Sequence, residues 1–394
     1  MIHYLLEAFM AEAEPNRRAS ARDLQAHNLF NRAVSFFAVV CFVSFRIRGE
    51  RMKLKEVKTE DAVGQVLCHD ITQIINGSVK DVRFRKGHII SKDDVPILLS
   101  LGKDHVFLWK NSDKYLHEND AVEILCELCR GKYMRPTLPK EGRIDLIAEA
   151  EGLFIVDIKR LRAMNSLGEI VVATRISGFP VKKGDKLCGM RVVPLLIEKR
   201  KMERARRVAG DDPLMRLRPI RPKKYGLVTT GNEVFHRRIE DTFTPVVKEK
   251  MEEYGCSLFA QKILDDDALK ITAAIREMLD AGAEMVICTG GMSVDPDDRT
   301  PLAIKNSGVR VVAYGAPVLP GSMFMIGYTD DGRPVCGLPG CVMYVKRTIF
   351  DLALPFMLAD EPITAERLAG LGHGGLCINC PECLYPNCSF GKGT

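Results

Sequence analysis

Three carboxylates crowd into four positions: Asp295, Asp297 and Asp298, around Pro296. Just before them runs Thr289-Gly290-Gly291-Met292-Ser293, and just after them Thr300-Pro301. Paired glycines let a backbone turn sharply and approach a ligand closely. Hydroxyls and backbone amides beside such a turn suit a phosphate, and carboxylates next to a phosphate suit Mg²⁺, which takes oxygen ligands. The bland alternative is that the aspartates only cap the helix behind them. A second group is soft rather than hard: Cys377-x-x-Cys380-x-x-Cys383 followed by Cys388. Four thiolates at this spacing can surround one metal, and they suit either tetrahedral zinc or an iron–sulfur cluster.

The first group needs a strand before it and a helix after it. Met285 to Cys288 is an apolar run of strand length, and Ala303, Ile304 and Asn306 continue a helical pattern that Gly308 stops. In an open α/β sheet, ligands bind at the carboxyl ends of strands, where a helix N-terminus also offers free N–H groups. The flanking sequence alternates in the same way. Strands are expected at Tyr225–Thr229, Cys256–Leu264, Val309–Tyr314, Met323–Tyr328 and Pro334–Cys336, with Asp331-Gly332 as a hairpin turn. Helices are expected over Thr244–Tyr254, over the apolar face of Ala268, Ile271, Ile275, Met278 and Leu279, and from Gly337–Gly340 through Val342, Val345, Ile349, Leu352 and Leu354. Asp265, Asp266 and Asp267 precede the second helix and read as its cap, without a catalytic role. The expected fold is α/β, a mostly parallel three-layer sheet domain preceded by a smaller β-rich α+β region and followed by a short Cys-rich tail.

The motif Thr289-Gly290-Gly291-x-Ser293-Val294, with Asp297-Asp298-x-Thr300-Pro301, resembles the molybdopterin-binding domain shared by the MoeA, MogA/MoaB and CinA families. Three further stretches fit that domain in order: Thr229-Thr230-Gly231-Asn232-Glu233-Val234, Gly315 to Gly321, and Gly337-Leu338-Pro339-Gly340. The resemblance spans about residues 223–358 and implies a three-layer fold of the MoaB/Mog kind. It implies molybdopterin as ligand, held by Thr230, Gly231, Asn232, Thr289, Gly290, Gly291, Ser293, Thr300, Pro320, Gly321, Leu338, Pro339 and Gly340. It makes Asp298 the first catalytic carboxylate, with Asp297 and Glu233 behind it, and Asp295 and Asp298 the Mg²⁺ ligands. The implied activity is molybdate insertion or adenylyl transfer in molybdenum-cofactor biosynthesis, with molybdate and ATP/AMP as co-reactants in a homodimer. The alternatives are a non-catalytic carrier or sensor and a CinA-like nucleotide pyrophosphatase. Asn232 replaces an aspartate usual in MoeA proteins. Leu319-Pro320-Gly321-Ser322-Met323 lacks two lysines usual there, and the Asp-Gly-Tyr loop of those proteins is missing.

The remaining chain sets the class. It has 394 residues, 46% hydrophobic and 27% charged, ordinary for a globular protein, with net charge +6. The basic excess is local, since residues 199–224 hold eleven Lys or Arg against three acids. That stretch ends in Arg218-Pro219-Ile220-Arg221-Pro222 and reads as a basic linker over 199–222, so neither nucleic acid nor membrane is an expected partner. Residues 52–198 read as the β-rich region, with short strands including Ile89-Ile90 and Leu153–Val156, and Cys126 and Cys129 as structural residues. Residues 1–51 look foreign to the rest. Their apolar stretch Val34–Val43 falls short of a spanning helix, and they read as an upstream extension, or as a disordered or hydrophobic leader, of a cytoplasmic protein. Thirteen cysteines without a secretory pattern favour metal over disulfides in the tail. Residues 359–394 are expected to be a metal-binding appendage, too poor in apolar residues to bury a core and separate from the pterin site.

Overall fold

The computed structural model describes residues 55–75, 79–108, 114–293, 295–296 and 298–393. The expectations for residues 1–51 and for Asp297 lie outside the described residues. The chain divides into two bodies, after residue 111. The division cuts through the stretch expected as one β-rich region, at Trp109-Lys110-Asn111-Ser112-Asp113, which holds no proline or glycine to announce it.

In the first body, strand Lys55–Lys58 pairs antiparallel with His105–Leu108, and Ile71–Ile75 with Val79–Phe84. Helix Asp94–Ser100 places Leu98 on a small core with Ala62, Leu67, Phe84, Ile90 and Val106. The expected strand at Ile89-Ile90 is only an isolated bridge from Ile89 to Val66.

The second body starts with a β-rich layer. A four-stranded sheet runs Met134–Pro136, Arg143–Ala148, Lys186–Val192, Ile170–Thr174, and a three-stranded sheet runs Phe179–Val181, Gly152–Val156, Met215–Pro219. Helix Glu118–Cys129 buries Cys126 and Cys129 in this core, and burial pushes both thiols up. The stretch expected as a basic linker is helix Lys199–Ala209 followed by strand Met215–Pro219. Its buried residues are Met202, Ala205 and Ala209, one narrow helical stripe, while lysines and arginines fill the other faces.

The α/β layer comes next. Its strands are β1 (Lys224–Thr230), β2 (Ser257–Leu264), β3 (Met285–Thr289), β4 (Arg310–Tyr314), β5 (Met325–Tyr328) and β6 (Pro334–Leu338). Its helices are α1 (Phe243–Glu252), α2 (Ala268–Asp280), α3 (Thr300–Asn306), α4 (Ile349–Leu358) and α5 (Ala365–Gly370). The sheet order is β2-β1-β3-β6-β5-β4. The pairs β1·β2, β1·β3 and β3·β6 are parallel, and β5 runs antiparallel to both neighbours. Side chains alternate as a pleat requires. Tyr225, Leu227, Met285 and Ile287 face the core under α1 and α4, while Val228, Val286 and Cys288 face the core under α2 and α3.

The last long helix begins later than the glycine turn suggested. Gly340–Met343 is a single 3-10 turn, and α4 restarts at Thr348, where a capping box with Asp351 satisfies both ends of the first turn. All ten residues of α4 are buried. Its core also takes in Leu153, Ile155 and Phe179 of the β-rich layer.

The tail is no appendage. Leu319 pairs with it as a short parallel bridge, donating to Gly375 and accepting from Cys377. Phe390 is 2% exposed inside the main core, with Tyr385 and Cys388 packed on its margin. Phe390→Ala is therefore expected to cost about 3–5 kcal/mol, as for other buried phenylalanines. Urea unfolding measures it, and a loss below about 1 kcal/mol would mean that the tail does not share the core. Among the described residues no helix is long and apolar enough to cross a membrane.

Candidate functional site

From β1 the chain turns to the outer strand β2 and then crosses back over β1 to β3. The neighbouring carboxyl ends of β1 and β3 thus send their chains to opposite faces, towards α1 and towards α3. In open α/β sheets such a reversal is where a crevice forms and ligands bind.

The two expected loops meet there. Thr229 and Thr289 are fully buried at paired positions, and the Thr289 hydroxyl reaches that of Thr229 at 3.4 Å. One residue on, the Thr230 and Thr300 hydroxyls hydrogen-bond at 3.0 Å. Gly290 has φ +84° and lies against the Thr230 backbone, so closely that no Cβ would fit. Gly291 lies beside both threonine hydroxyls, and its carbonyl accepts from the Thr300 N–H at 3.3 Å. Leu338 of β6 stands in register with Thr289, which puts Pro339 and Gly340 at the same edge.

A residue that the motifs do not mark joins them. Asp266 accepts from the Asn232 N–H at 2.9 Å, and its other oxygen lies beside Gly291. Asp267 does cap α2, accepting from Leu269 and Lys270, as expected of the triplet. The signal available for Asp266 was its position just after β2. Only the strand order, with β2 beside β1, brings that position to the crevice.

Other expected residues are placed differently. The Asp298 carboxylate accepts from the Asp295 N–H at 3.1 Å, and the Asp298 N–H donates to the Asp295 carbonyl at 3.0 Å, so the two close their own loop. Among the described residues, no group of three or more His, Cys, Asp or Glu could hold a metal ion. Tyr314, at the end of β4, ties this loop down by donating to the carbonyls of Met292 at 2.8 Å and Ser293 at 3.3 Å. Burial pushes its phenol up, and the Asp298 charge adds to the shift. Ser293 is exposed. Glu233, also exposed, sits on a single helical turn, Asn232–Phe235, with its carboxylate folded towards Gly231.

The start of α3 has fewer free N–H groups than the sequence suggested. The Thr300 N–H is taken by Gly291, Pro301 has none, and the Ala303 N–H bonds Arg299. Exposed Arg299 stands just before this helix, and exposed Arg237 and Arg238 follow the Asn232–Phe235 turn. Pro320 and Gly321 follow β4, three strands from β3, which is roughly 14 Å across the sheet. Gly321 packs on Ile349, and the tail holds Leu319.

Residues 226–359 match the model of a family described as a probable molybdopterin binding domain. This segment belongs to that domain family. Residues 56–110 match a second model, described as a domain of unknown function (DUF8806). The chain is similar to a molybdopterin molybdenumtransferase of Staphylococcus epidermidis, 21% identical over 77% of this chain and 73% of that protein. It is similar to a molybdopterin adenylyltransferase of Pyrococcus furiosus, 27% identical over 27% of this chain and 62% of the other. A CinA-like protein of Mycobacterium avium is 32% identical over 19% of this chain and 17% of its own length. All four loops expected to carry the ligand fall inside the molybdopterin-binding segment.

Proposed function

We propose that this chain is a molybdenum-cofactor assembly protein that binds molybdopterin, free or adenylylated, in the crevice between β1 and β3. The observation that carries this reading is the convergence of Thr230, Gly290, Gly291 and Thr300 on a strand-order reversal inside the molybdopterin-binding segment. In this reading the loop backbone and the Thr230–Thr300 hydroxyl pair hold the terminal phosphate. Arg299 supplies a cation at the rim, and Asp266 orients the Asn232 loop. Asp295 and Asp298 remain the proposed ligands of a Mg²⁺ ion beside that phosphate, since Mg²⁺ needs only one or two carboxylates with phosphate oxygens and waters.

Molybdate insertion or adenylyl transfer, with molybdate or ATP as co-reactant and a homodimer as the working form, is the enzymatic version of this proposal. A specific observation favours the carrier version. The Leu319 loop, which lacks the lysines usual in MoeA proteins, is paired with the chain's own tail.

Thr300→Val keeps the shape of the side chain and removes one hydroxyl of the pair. It is expected to weaken molybdopterin binding about tenfold, since a lost polar contact costs about 1–3 kcal/mol. An anaerobic titration following pterin fluorescence measures it. Unchanged affinity would remove the crevice from the reading. Incubation with molybdopterin and either ATP or molybdate then separates the versions, because a carrier binds without turnover in both.

A further inference from the structure

The tail cysteines belong to one concavity. Cys377, Cys380, Cys383 and Cys388 all line a cavity of about 270 Å³, together with Lys346 and Arg347. Nothing in the crevice between β1 and β3 accounts for this cavity, and its chemistry is independent of the ligand assigned there.

Several features bring these four residues together. The bridge of Leu319 to the tail fixes the chain at Cys377. Asn379, in the left-handed region at φ +51°, reverses the chain between Cys377 and Cys380. The Asn387 N–H donates to the Leu384 carbonyl at 2.6 Å, a turn that carries the chain from Cys383 round to Cys388. Phe390 then anchors the end in the core. The fixed points are therefore on either side of the four cysteines.

Two basic residues, Lys346 and Arg347, line the same cavity. Arg347 pairs with Glu253 and with Asp351, and its guanidinium lies 5.3 Å from the centre of the Tyr385 ring. The Lys346 carbonyl accepts from buried Lys250.

We infer that Cys377, Cys380, Cys383 and Cys388 hold a four-iron, four-sulfide cluster in this cavity. Size decides between this and one zinc ion. At about 2.3 Å per Zn–S bond, tetrahedral zinc pulls four sulfurs to within about 4 Å of each other and leaves no space among them. Among the described residues no group of three or more His, Cys, Asp or Glu side chains could hold a single metal ion, and the four cysteines line a space of about 270 Å³. The spacing of the first three cysteines also matches the bacterial iron–sulfur run, whose ligands are all thiolates.

The cluster can be delivered without an outside oxidant. In a synthetic [4Fe–4S]²⁺ cluster carrying four mercaptoethanol thiolates, each cysteine sulfur replaces one thiolate on iron. Each cysteine proton leaves with the departing mercaptoethanol, and the oxidation state of the cluster is unchanged.

The full chain, incubated anaerobically with this synthetic cluster and desalted, is expected to retain about four iron and four sulfide with visible absorbance. Cys383→Ser, at the most exposed of the four positions, is expected to lose most of that iron, with an unchanged circular-dichroism spectrum and melting point. Cys341→Ser, outside the cavity, is expected to keep it. Zinc chloride alone is tested in parallel. Retention of one tightly held zinc and no cluster would overturn the inference, as would retention of neither. Full iron in Cys383→Ser would overturn it too.

Discussion

Gly290→Ala is expected to abolish measurable molybdopterin binding and to cost about 2–3 kcal/mol of stability, the combined effect of overpacking and a strained backbone. Two independent features lead there. The residue has φ +84°, a conformation that L side chains rarely adopt. A Cβ would also collide with the Thr230 carbonyl oxygen and lie 2.9 Å from its carbon. Thr230 ends β1 and sits in the sheet, so the carbonyl cannot retreat without moving that strand. The loop of β3 must then shift away from Thr300, and the hydroxyl pair opens. Gly340→Ala is the control, because a Cβ there meets nothing within 4 Å. It should leave stability within about 0.5 kcal/mol. Urea unfolding and a pterin titration read both. Wild-type affinity in Gly290→Ala would show that the turn of β3 takes no part in the site.

The second large effect lies beneath the surface. Asp351 accepts from Lys250 at 2.7 Å and from Arg347 at 2.8 Å, and it caps α4 through the Thr348 N–H at 2.7 Å. The Lys250 and Asp351 side chains are only 7% and 4% exposed. Asp351→Ala is expected to cost about 3–5 kcal/mol, because it strands the Lys250 ammonium in a buried position. Removing both charges, as Lys250→Met with Asp351→Leu, should recover much of the loss, since a buried pair often gains little over well-packed apolar residues. A double-mutant cycle measured by urea unfolding separates the two cases. A single-mutant loss below about 1 kcal/mol would mean that water reaches Lys250.

The site could be read from the sequence where its parts are local. The apolar run of β3, the glycine pair and Thr300 all lie within the sixteen residues 285–300, and periodicity placed the strand and helix. Asp266 was not legible because its role depends on β2 lying beside β1, a fact of strand order. Nor does composition reveal that the Asp298 carboxylate accepts from the Asp295 N–H and so closes the acidic loop on itself. The tail misled for a related reason. Phe390 and Tyr385 carry no repeat that would mark them as core residues. The start of α4 was in the sequence all along, as Thr348-x-x-Asp351, but the glycines at 337 and 340 gave the louder signal.

Helix α4 has no face turned to water, and its surroundings come from both layers of the second body. This bears on how the molecule can be taken apart or recombined. A fragment cut before β1 would keep every loop of the crevice and yet lose Leu153, Ile155 and Phe179 from above the helix. The uncovered strip would be apolar, contiguous and sticky, the kind of surface that drives aggregation. The familiar-looking segment 226–359 is thus not a transplantable part. A graft into another protein would carry the ligand loops faithfully and still need a new roof for α4.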